Sequence, residues 1–265
     1  MNKTLLKEGT IFIKQLLLIF LFFSSHFVMG QHEKNIRMHS HNDYYQNVPF
    51  WKALSCGLSS IEVDVYLQND QLYVTHSASE IIENRTIEEL YLNPIQKMIE
   101  LKLGDLDALQ LLIDIKSDPY STLLKLISIL EQYPKLITNQ TFSIVISGNR
   151  PQPKEYPDYP DYIHFDYQSL EEIPRGKTWE KVALISLNFR NYSNWNGTGN
   201  MTNQDQLKIK ELVDKAHQHG KPFRFWGTPD TLESWTVFSA LGIDFLNTDD
   251  PIGLSTFLKQ QKLYH

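Results

Sequence analysis

Acidic side chains on two short strand-like segments are the residues of this sequence best suited to chemistry. The segments are Ile61-Glu62-Val63-Asp64-Val65 and Ile113-Asp114-Ile115-Lys116. Strand side chains alternate between faces, so Glu62 and Asp64 share a face, about 7 Å apart, as do Asp114 and Lys116. Charges on otherwise apolar strands are costly to bury unpaired, and oxygen ligands suit Mg²⁺ or Ca²⁺. The pattern predicts one divalent cation held by Glu62, Asp64 and Asp114, and hence an enzyme.

Strand-like and helix-like segments alternate along the chain. Apolar residues recur at helical spacing in 121–132 and 204–219, and helices are also predicted for 49–56 and 230–241. A short antiparallel extension is expected at 71–75. This alternation predicts a single-domain (β/α)8 TIM barrel, with an open doubly wound sheet as the alternative. The eight predicted strands are 36–41, 60–67, 109–116, 142–147, 162–166, 182–188, 222–226 and 245–248.

Polar residues fall at or just after the carboxyl ends of these strands. His39 and His41 end the first strand, Trp226 ends the seventh, and Asp249-Asp250 follow the eighth. In a barrel these ends meet at one mouth, where active sites lie. The loops 149–161 and 191–200 are expected to cross the same mouth. No Gly-x-Gly-x-x-Gly follows the first strand, so a dinucleotide site has no support.

At these positions the chain resembles the PLC-like phosphodiesterase superfamily, which includes glycerophosphodiester phosphodiesterases, phosphatidylinositol-specific phospholipases C and sphingomyelinases D. The segments His-Ser-His-Asn-Asp-Tyr and Trp-Gly-Thr-Pro are similar to those of the branch named after the altered inheritance of mitochondria protein in fungi. The motifs that carry the resemblance are His41-Asn42-Asp43, Gly57-x4-Glu62-x-Asp64, His76, Asp114-Ile115-Lys116, Phe225-Trp226-Gly227 and Leu241 to Pro251.

The resemblance implies a metal-dependent phosphodiesterase that acts on a glycerophosphodiester or phospholipid headgroup. His41 and His76 would be the catalytic acid and base, and Glu62, Asp64 and Asp114 the metal ligands. A histidine suits either role because its ordinary pKa of about 6.5 makes both protonation states available near neutrality. The candidate substrate or phosphate contacts are Lys116, Asn42, Trp226 and His39.

Two departures from the glycerophosphodiesterase pattern concern the phosphate and the metal. His41-Asn42-Asp43 stands where that family has His-Arg-Gly, so the family's phosphate-binding arginine is missing. Arg150 or Arg224 could replace it, although surface salt bridges are the favoured interpretation of both. Asp114 replaces the usual Glu, as in the sphingomyelinase D arrangement.

Two alternative functions remain open. His39-x-His41 has the spacing of metal-dependent amidohydrolases or PHP-like hydrolases, with His164 and Asp249 as further ligands, although His164 also fits a core position. A non-catalytic barrel that binds a headgroup is the third option, and it should tolerate the loss of His76.

The first thirty residues have the pattern of an export signal, with a basic start, an apolar middle and a small residue at Gly30. We therefore expect residues 1–30 to be a cleaved leader, residues 31–265 to be the catalytic domain, and the protein to be periplasmic or extracellular. Loss of the leader would change the net charge from −6 to −8, which argues against nucleic-acid binding. A monomer is expected, and a peripheral contact with a membrane surface is left open. The single cysteine, Cys56, is expected in the core.

Overall fold

The computed structural model describes residues 36–103 and 108–263, so the predicted leader at 1–30 lies outside the described residues. Their strands form one sheet in the order β1-β9-β8-β7-β6-β5-β4-β2-β3. The strands are β1 Arg37–Ser40, β2 Ser60–Gln68, β3 Gln71–Val74, β4 Leu109–Ile115, β5 Phe142–Gly148, β6 Ile163–Tyr167, β7 Val182–Asn188, β8 Phe223–Trp226 and β9 Phe245–Thr248.

The sheet closes on itself because β1 pairs in parallel with both β2 and β9. The eight strands other than β3 are parallel, and β3 folds back antiparallel on β2 through the turn at 69–70. The predicted (β/α)8 barrel is therefore confirmed. The antiparallel extension at 71–75 is also present and ends one residue early.

Helices cover the outside of this barrel. The α-helices are α1 Trp51–Ser55, α2 Asn93–Leu101, α3 Pro119–Leu130, α4 Pro134–Ile137, α5 Lys177–Glu180, α6 Asn203–Gln218, α7 Leu232–Leu241 and α8 Pro251–Leu263. Shorter helical turns are the 3₁₀ segments Asp43–Tyr45, Ala78–Glu80, Pro153–Asp158 and Phe189–Asn191 and the π-helix Glu88–Leu92. None of the helices in the described ranges is long and apolar enough to cross a membrane.

Capping residues determine where several helices begin. The Asp118 side chain accepts a hydrogen bond from the Ser121 backbone N–H at α3, and Thr202 does the same for Asp205 at α6. At α7, Thr231 and Ser234 cap each other reciprocally. These local signals explain why three of the predicted helices lie within two residues of their predicted bounds.

The barrel interior combines a small apolar cluster with polar side chains. Leu112, Val145, Leu184 and Phe245 form the buried apolar cluster. Leu112 is the register partner of both Glu62 and Val145, so all three point inward. Ser60 and Gln110, two positions before Glu62 and Leu112 on the same strands, are also buried on this face, so polar side chains lie at the amino-terminal end as well as at the carboxyl end.

Candidate active site

The three predicted ligands come together at the carboxyl end of β2 and β4. Asp64 and Asp114 are register partners. Glu62 lies two residues before Asp64 on β2 and points to the same face. One carboxylate oxygen from each residue lies within 4.8 Å of the others. The trio therefore lies on one wall of the barrel interior, close enough together for one cation to contact all three carboxylates.

Two buried oxygens of this trio lack a hydrogen-bond donor. Among the described residues, neither Asp64 Oδ1 nor Asp114 Oδ1 accepts a hydrogen bond. Lys116 Nζ lies 3.2 Å from Asp114 Oδ1 and 3.4 Å from Asp64 Oδ2, which is ion-pair distance to both carboxylates. Buried carboxylate oxygens normally have partners, so the donor set fits a cation.

Electrostatics supports the same fit. Burial and then the neighbouring Glu62 raise the pKa of Asp114 to about 7, and burial also raises the pKa of Asp64. Three carboxylates this close repel one another, and the attraction of Lys116 offsets only part of the repulsion. A divalent cation would remove that repulsion, because an adjacent positive charge favours the ionised acid.

Glu62 is the most heavily compensated member of the trio. Its Oε2 accepts hydrogen bonds from Arg224 Nη1 and His39 Nε2, each at 2.8 Å. Burial opposes ionisation, but Arg224 and then His39 outweigh it and hold the pKa of Glu62 well below its usual range. Oε2 is therefore occupied by the protein, and Oε1 is the oxygen available to a cation.

His39 is buried and uses both ring nitrogens inside the protein. Gln110 donates to Ser60 Oγ, which lies 2.7 Å from His39 Nδ1, and His39 Nε2 contacts Glu62. Burial, reinforced by Arg224, lowers the pKa of His39 to about 4, so the ring is neutral. Arg224 Nη1 also contacts His39 Nε2, so both ring nitrogens are engaged by protein groups. His39 thus has no ring nitrogen free for substrate, and its geometry does not support the predicted substrate contact.

His76 lies at the site rim and is held by the trio itself. Its Nδ1 is 2.8 Å from Asp64 Oδ2, and its side chain is 58% exposed. A carboxylate partner at Nδ1 selects the tautomer with the proton on that nitrogen. Nε2 is then the ring nitrogen that Asp64 leaves free.

His41 follows β1 and is held by a different carboxylate. Its backbone N–H donates to the Thr248 carbonyl, and its Nδ1 lies 2.9 Å from Asp249 Oδ1. Burial opposes protonation, but the hydrogen bond to Asp249 and the charge of Glu62 raise the pKa of His41. This residue is therefore biased towards the protonated form.

The remaining predicted contacts lie at the same end of the barrel. Lys116 is partly exposed above Asp64 and Asp114, and Trp226 at the end of β8 is 37% exposed. Asn42 adopts a left-handed conformation at φ 45°. These placements agree with roles at the mouth, which remain predictions.

The position of Arg224 differs from the surface position that the sequence predicted. Arg224 was expected to make a surface salt bridge, but it is buried inside the barrel and donates to Glu62. Alternation along β8 could have placed it on the same face as Trp226, two residues later, which was already a candidate substrate contact. Arg150 is partly buried and donates to the Gly148 carbonyl.

Two further residues at the site were not predicted. Tyr44 OH donates to Asp64 Oδ2 at 2.9 Å, alongside His76. The loop that carries Tyr44 is anchored by buried Asp43, which accepts hydrogen bonds from Ser40 Oγ and the Phe50 backbone N–H. The dipeptide Asp43-Tyr44 was visible within the recognised motif, but nothing local indicated its partners.

The amidohydrolase alternative does not match this geometry. His39 is occupied by Ser60 and Glu62, and Asp249 binds His41. His164 is the second residue of β6. Burial and then the charge of Lys181, which immediately precedes β7, lower its pKa, so His164 lies towards the amino-terminal end of the barrel. The His39-x-His41 pair therefore shares no ligand position with His164.

The two long loops contain more structure than a plain surface loop. In the first, Tyr156 is fully buried and stacks on Phe165 with ring centroids 3.7 Å apart. In the second, Trp195 packs against Phe238 and lines a cavity of about 400 Å³.

Cys56 is half-buried rather than fully in the core.

Comparison with known proteins supports the class that the fold and motifs indicate. The model of the AIM6-like phosphodiesterase domain matches residues 29–136, and that of the glycerophosphoryl diester phosphodiesterase family matches residues 222–252. A solved glycerophosphodiester phosphodiesterase from Parabacteroides distasonis covers 86% of this chain and 98% of its own, with a TM-score of 0.57 at 14% identity. The corresponding enzyme from Agrobacterium tumefaciens covers 84% and 99%, with a TM-score of 0.53 at 12% identity. These matches bear out the predicted resemblance to the PLC-like phosphodiesterase superfamily, and the solved structures share the barrel fold.

Sequence relatives specify the branch. Altered inheritance of mitochondria protein 6 from Eremothecium gossypii is 28% identical over 83% of this chain and 69% of its own length. A homolog from Arthroderma benhamiae is 27% identical over 81% of each chain. The predicted branch is thereby confirmed.

Proposed function

We propose that this protein is a divalent-cation-dependent phosphodiesterase, cleaving a phosphodiester of the glycerophosphodiester or phospholipid-headgroup type. The observation that carries the proposal is the trio Glu62, Asp64 and Asp114, with two buried oxygens that lack donors, beside histidines oriented by carboxylates. The superfamily and the barrel support phosphodiester chemistry.

The trio would hold one cation, Mg²⁺ or Ca²⁺. When bound, the cation supplies positive charge that stabilises the oxygens of the phosphate in the transition state. Lys116, already beside Asp64 and Asp114, adds a second positive group on the same side. Trp226 would line the pocket for the substituent on the phosphate.

The two histidines would divide the proton transfers. His76 Nε2, whose ring is fixed through Nδ1 by Asp64, takes the proton from the attacking oxygen. His41, biased towards its protonated form by Asp249, gives a proton to the leaving oxygen. After cleavage His76 carries an extra proton and His41 has lost one, so the site regenerates when His76 releases a proton to water and His41 takes one up. The attacking oxygen belongs to water or to a neighbouring substrate hydroxyl, and a cyclic phosphate product distinguishes the second case.

The test combines cation removal with two histidine variants. Excess chelator should abolish cleavage of a chromogenic phosphodiester, and Mg²⁺ or Ca²⁺ should restore it. His41→Ala and His76→Ala should each lose at least about 100-fold in kcat. His219→Ala, at the end of outer helix α6, is the matched control. Full activity in chelator, or near-normal turnover of a folded His76 variant, contradicts the proposal.

A headgroup-binding barrel without catalysis is separated by the same variant. Such a module would keep its affinity for a phosphodiester ligand in His76→Ala and would show no turnover in the parent protein. Binding without turnover in the parent would therefore favour it.

We also propose that the protein is exported, is a monomer and makes a peripheral contact with a membrane surface. The leader-like pattern at 1–30 supports action outside the cytoplasm, which cell fractionation and the amino-terminal sequence of the mature protein would test. Tyr45, Val48 and Ile82 are exposed apolar side chains on segments that follow β1 and β3, and they support a peripheral contact with a membrane surface. Sedimentation with phosphatidylcholine vesicles tests that contact, and gel filtration tests the expected monomer.

A further inference from the structure

A buried ion pair lies inside the barrel beside the acid trio. Arg224 on β8 and Asp166 on β6 are both almost fully inaccessible to solvent. Arg224 Nη1 donates to Glu62 Oε2 at 2.8 Å, and Nη2 lies 4.0 Å from Asp166 Oδ2. The guanidinium thus connects a predicted cation ligand to a carboxylate that belongs to no ligand set.

Asp166 is held in place by hydroxyl groups rather than by Arg224. Its Oδ2 accepts hydrogen bonds from Ser147 Oγ at 2.9 Å and Ser186 Oγ at 2.6 Å. Within the part of the chain that the structure describes, Asp166 Oδ1 and Arg224 Nε have no hydrogen-bond partner. The pair is therefore poorly matched as a simple stabilising salt bridge, because an ion pair deep in a protein repays its desolvation only when its geometry is close to ideal.

The charges around the trio suggest another use for the pair. The described inner-face residues at this level carry four carboxylates, since Asp166 joins the trio, and two cations, Lys116 and Arg224. With all four carboxylates ionised, as they would be beside a bound cation, their net charge is two negative units, which one divalent cation neutralises. If Asp166 were absent, the three remaining carboxylates and the two cations would leave a net charge of only one negative unit.

We propose that Asp166 is a positioning residue that acts through Arg224: it offsets the guanidinium charge, so that Arg224 orients Glu62 without weakening divalent-cation binding. The proposal rests on the cation site of the proposed function. Arg224 keeps Glu62 Oε2 occupied and leaves Oε1 for the cation, and Asp166 compensates the charge that this orientation introduces. Neither Asp166 nor Arg224 contacts the substrate in this scheme.

Cation binding itself provides the test. Mg²⁺ and Ca²⁺ are titrated separately into the full chain by calorimetry, without substrate. Asp166→Asn keeps the size of the side chain and an oxygen for Ser147 and Ser186, and it should weaken cation binding at least tenfold, about 1.4 kcal/mol. Asp214→Asn, on the exposed face of α6, removes the same charge at the surface and should leave affinity unchanged.

A second-site variant separates charge from simple structural damage. Asp166→Asn with Arg224→Gln restores the net charge of two negative units, and the Gln amide can still donate to Glu62. The double variant should recover affinity to within about threefold of the parent. Because it removes both buried charges, it should also fold if Asp166→Asn alone does not, since neutral replacement of a buried pair is often tolerated.

The outcomes are distinct. Parent-like affinity in Asp166→Asn, or a double variant that remains tenfold or more weaker than the parent, overturns the inference. If the parent itself binds neither ion, the cation site of the proposed function fails instead. If the parent binds the cation and turns over substrate, but Asp166→Asn binds the cation with the same affinity, only the role of Asp166 is overturned.

Discussion

Gly148, the last residue of β5, has the closest approach to a predicted cation ligand. It adopts φ +66°, and a Cβ added there would lie 1.8 Å from Asp114 Oδ1 and 2.6 Å from the Ile115 carbonyl oxygen. Real Cβ atoms essentially never approach another heavy atom closer than 3.0 Å, so the Asp114 oxygen would have to move by at least 1.2 Å. Asp114 can rotate away, but the backbone of Ile115 cannot.

Gly148→Ala should therefore cost both stability and cation affinity. The left-handed backbone costs a non-glycine residue about 1–2 kcal/mol, and overpacking typically adds about 1–3 kcal/mol. We expect the free energy of unfolding to fall by about 2–5 kcal/mol. Cation affinity should fall at least tenfold, because ligand distances to Mg²⁺ tolerate only a few tenths of an ångström.

Gly199→Ala provides the matched control. Gly199 has nearly the same φ, +64°, with no atom within 4 Å of an added Cβ, so it should show the backbone cost of about 1–2 kcal/mol alone. Urea unfolding with and without Mg²⁺, together with calorimetric titration of Mg²⁺, measures both effects. If Gly148→Ala loses no more stability than Gly199→Ala and binds Mg²⁺ within twofold of the parent, Asp114 is not a ligand in this position.

Two further predictions concern the hydrogen bonds at the rim. Asp249→Asn removes the partner that raises the pKa of His41, so the acid form should be lost at lower pH and the basic limb of the kcat/KM profile should move to lower pH. Asp250→Asn, which removes a neighbouring charge without touching His41, should leave that limb in place, and equal shifts in both variants would point to a general charge effect. Tyr44→Phe removes a donor to Asp64 Oδ2 and should reduce stability by about 1.5–3 kcal/mol, with weaker Mg²⁺ binding, in thermal unfolding with and without the ion. Unchanged Mg²⁺ affinity in that variant would show that Tyr44 does not help to position Asp64.

His39 shows how a plausible motif residue can change its role in the folded protein. The spacing His39-x-His41 places both rings on one face of β1, which suggested either a metal pair or a substrate contact. Closure of the barrel puts His39 against Ser60 on β2 and Arg224 on β8, and leaves His41 at the rim with Asp249. The difference arises because His39 lies one layer deeper than His41.

Strand periodicity was sufficient to determine a large part of this protein. Alternation assigned Glu62, Asp64 and Asp114 to inner faces, and the order of strands and helices predicted the closed barrel. These features depend on neighbouring residues along the chain, where side-chain direction repeats every two positions and helix ends carry capping residues. The segment bounds of the strands were accordingly predicted to within one or two residues.

Only the tertiary structure decided which inner-face groups meet. Arg224 reaches Glu62 across 162 positions of sequence, Tyr44 reaches Asp64 from a loop, and Gly148 leaves space for Asp114. These partners come from different strands and loops, and their meeting depends on the register and closure of the barrel. Local pattern specifies the face on which a side chain lies, whereas its charge state and its partner depend on what the rest of the chain places opposite it.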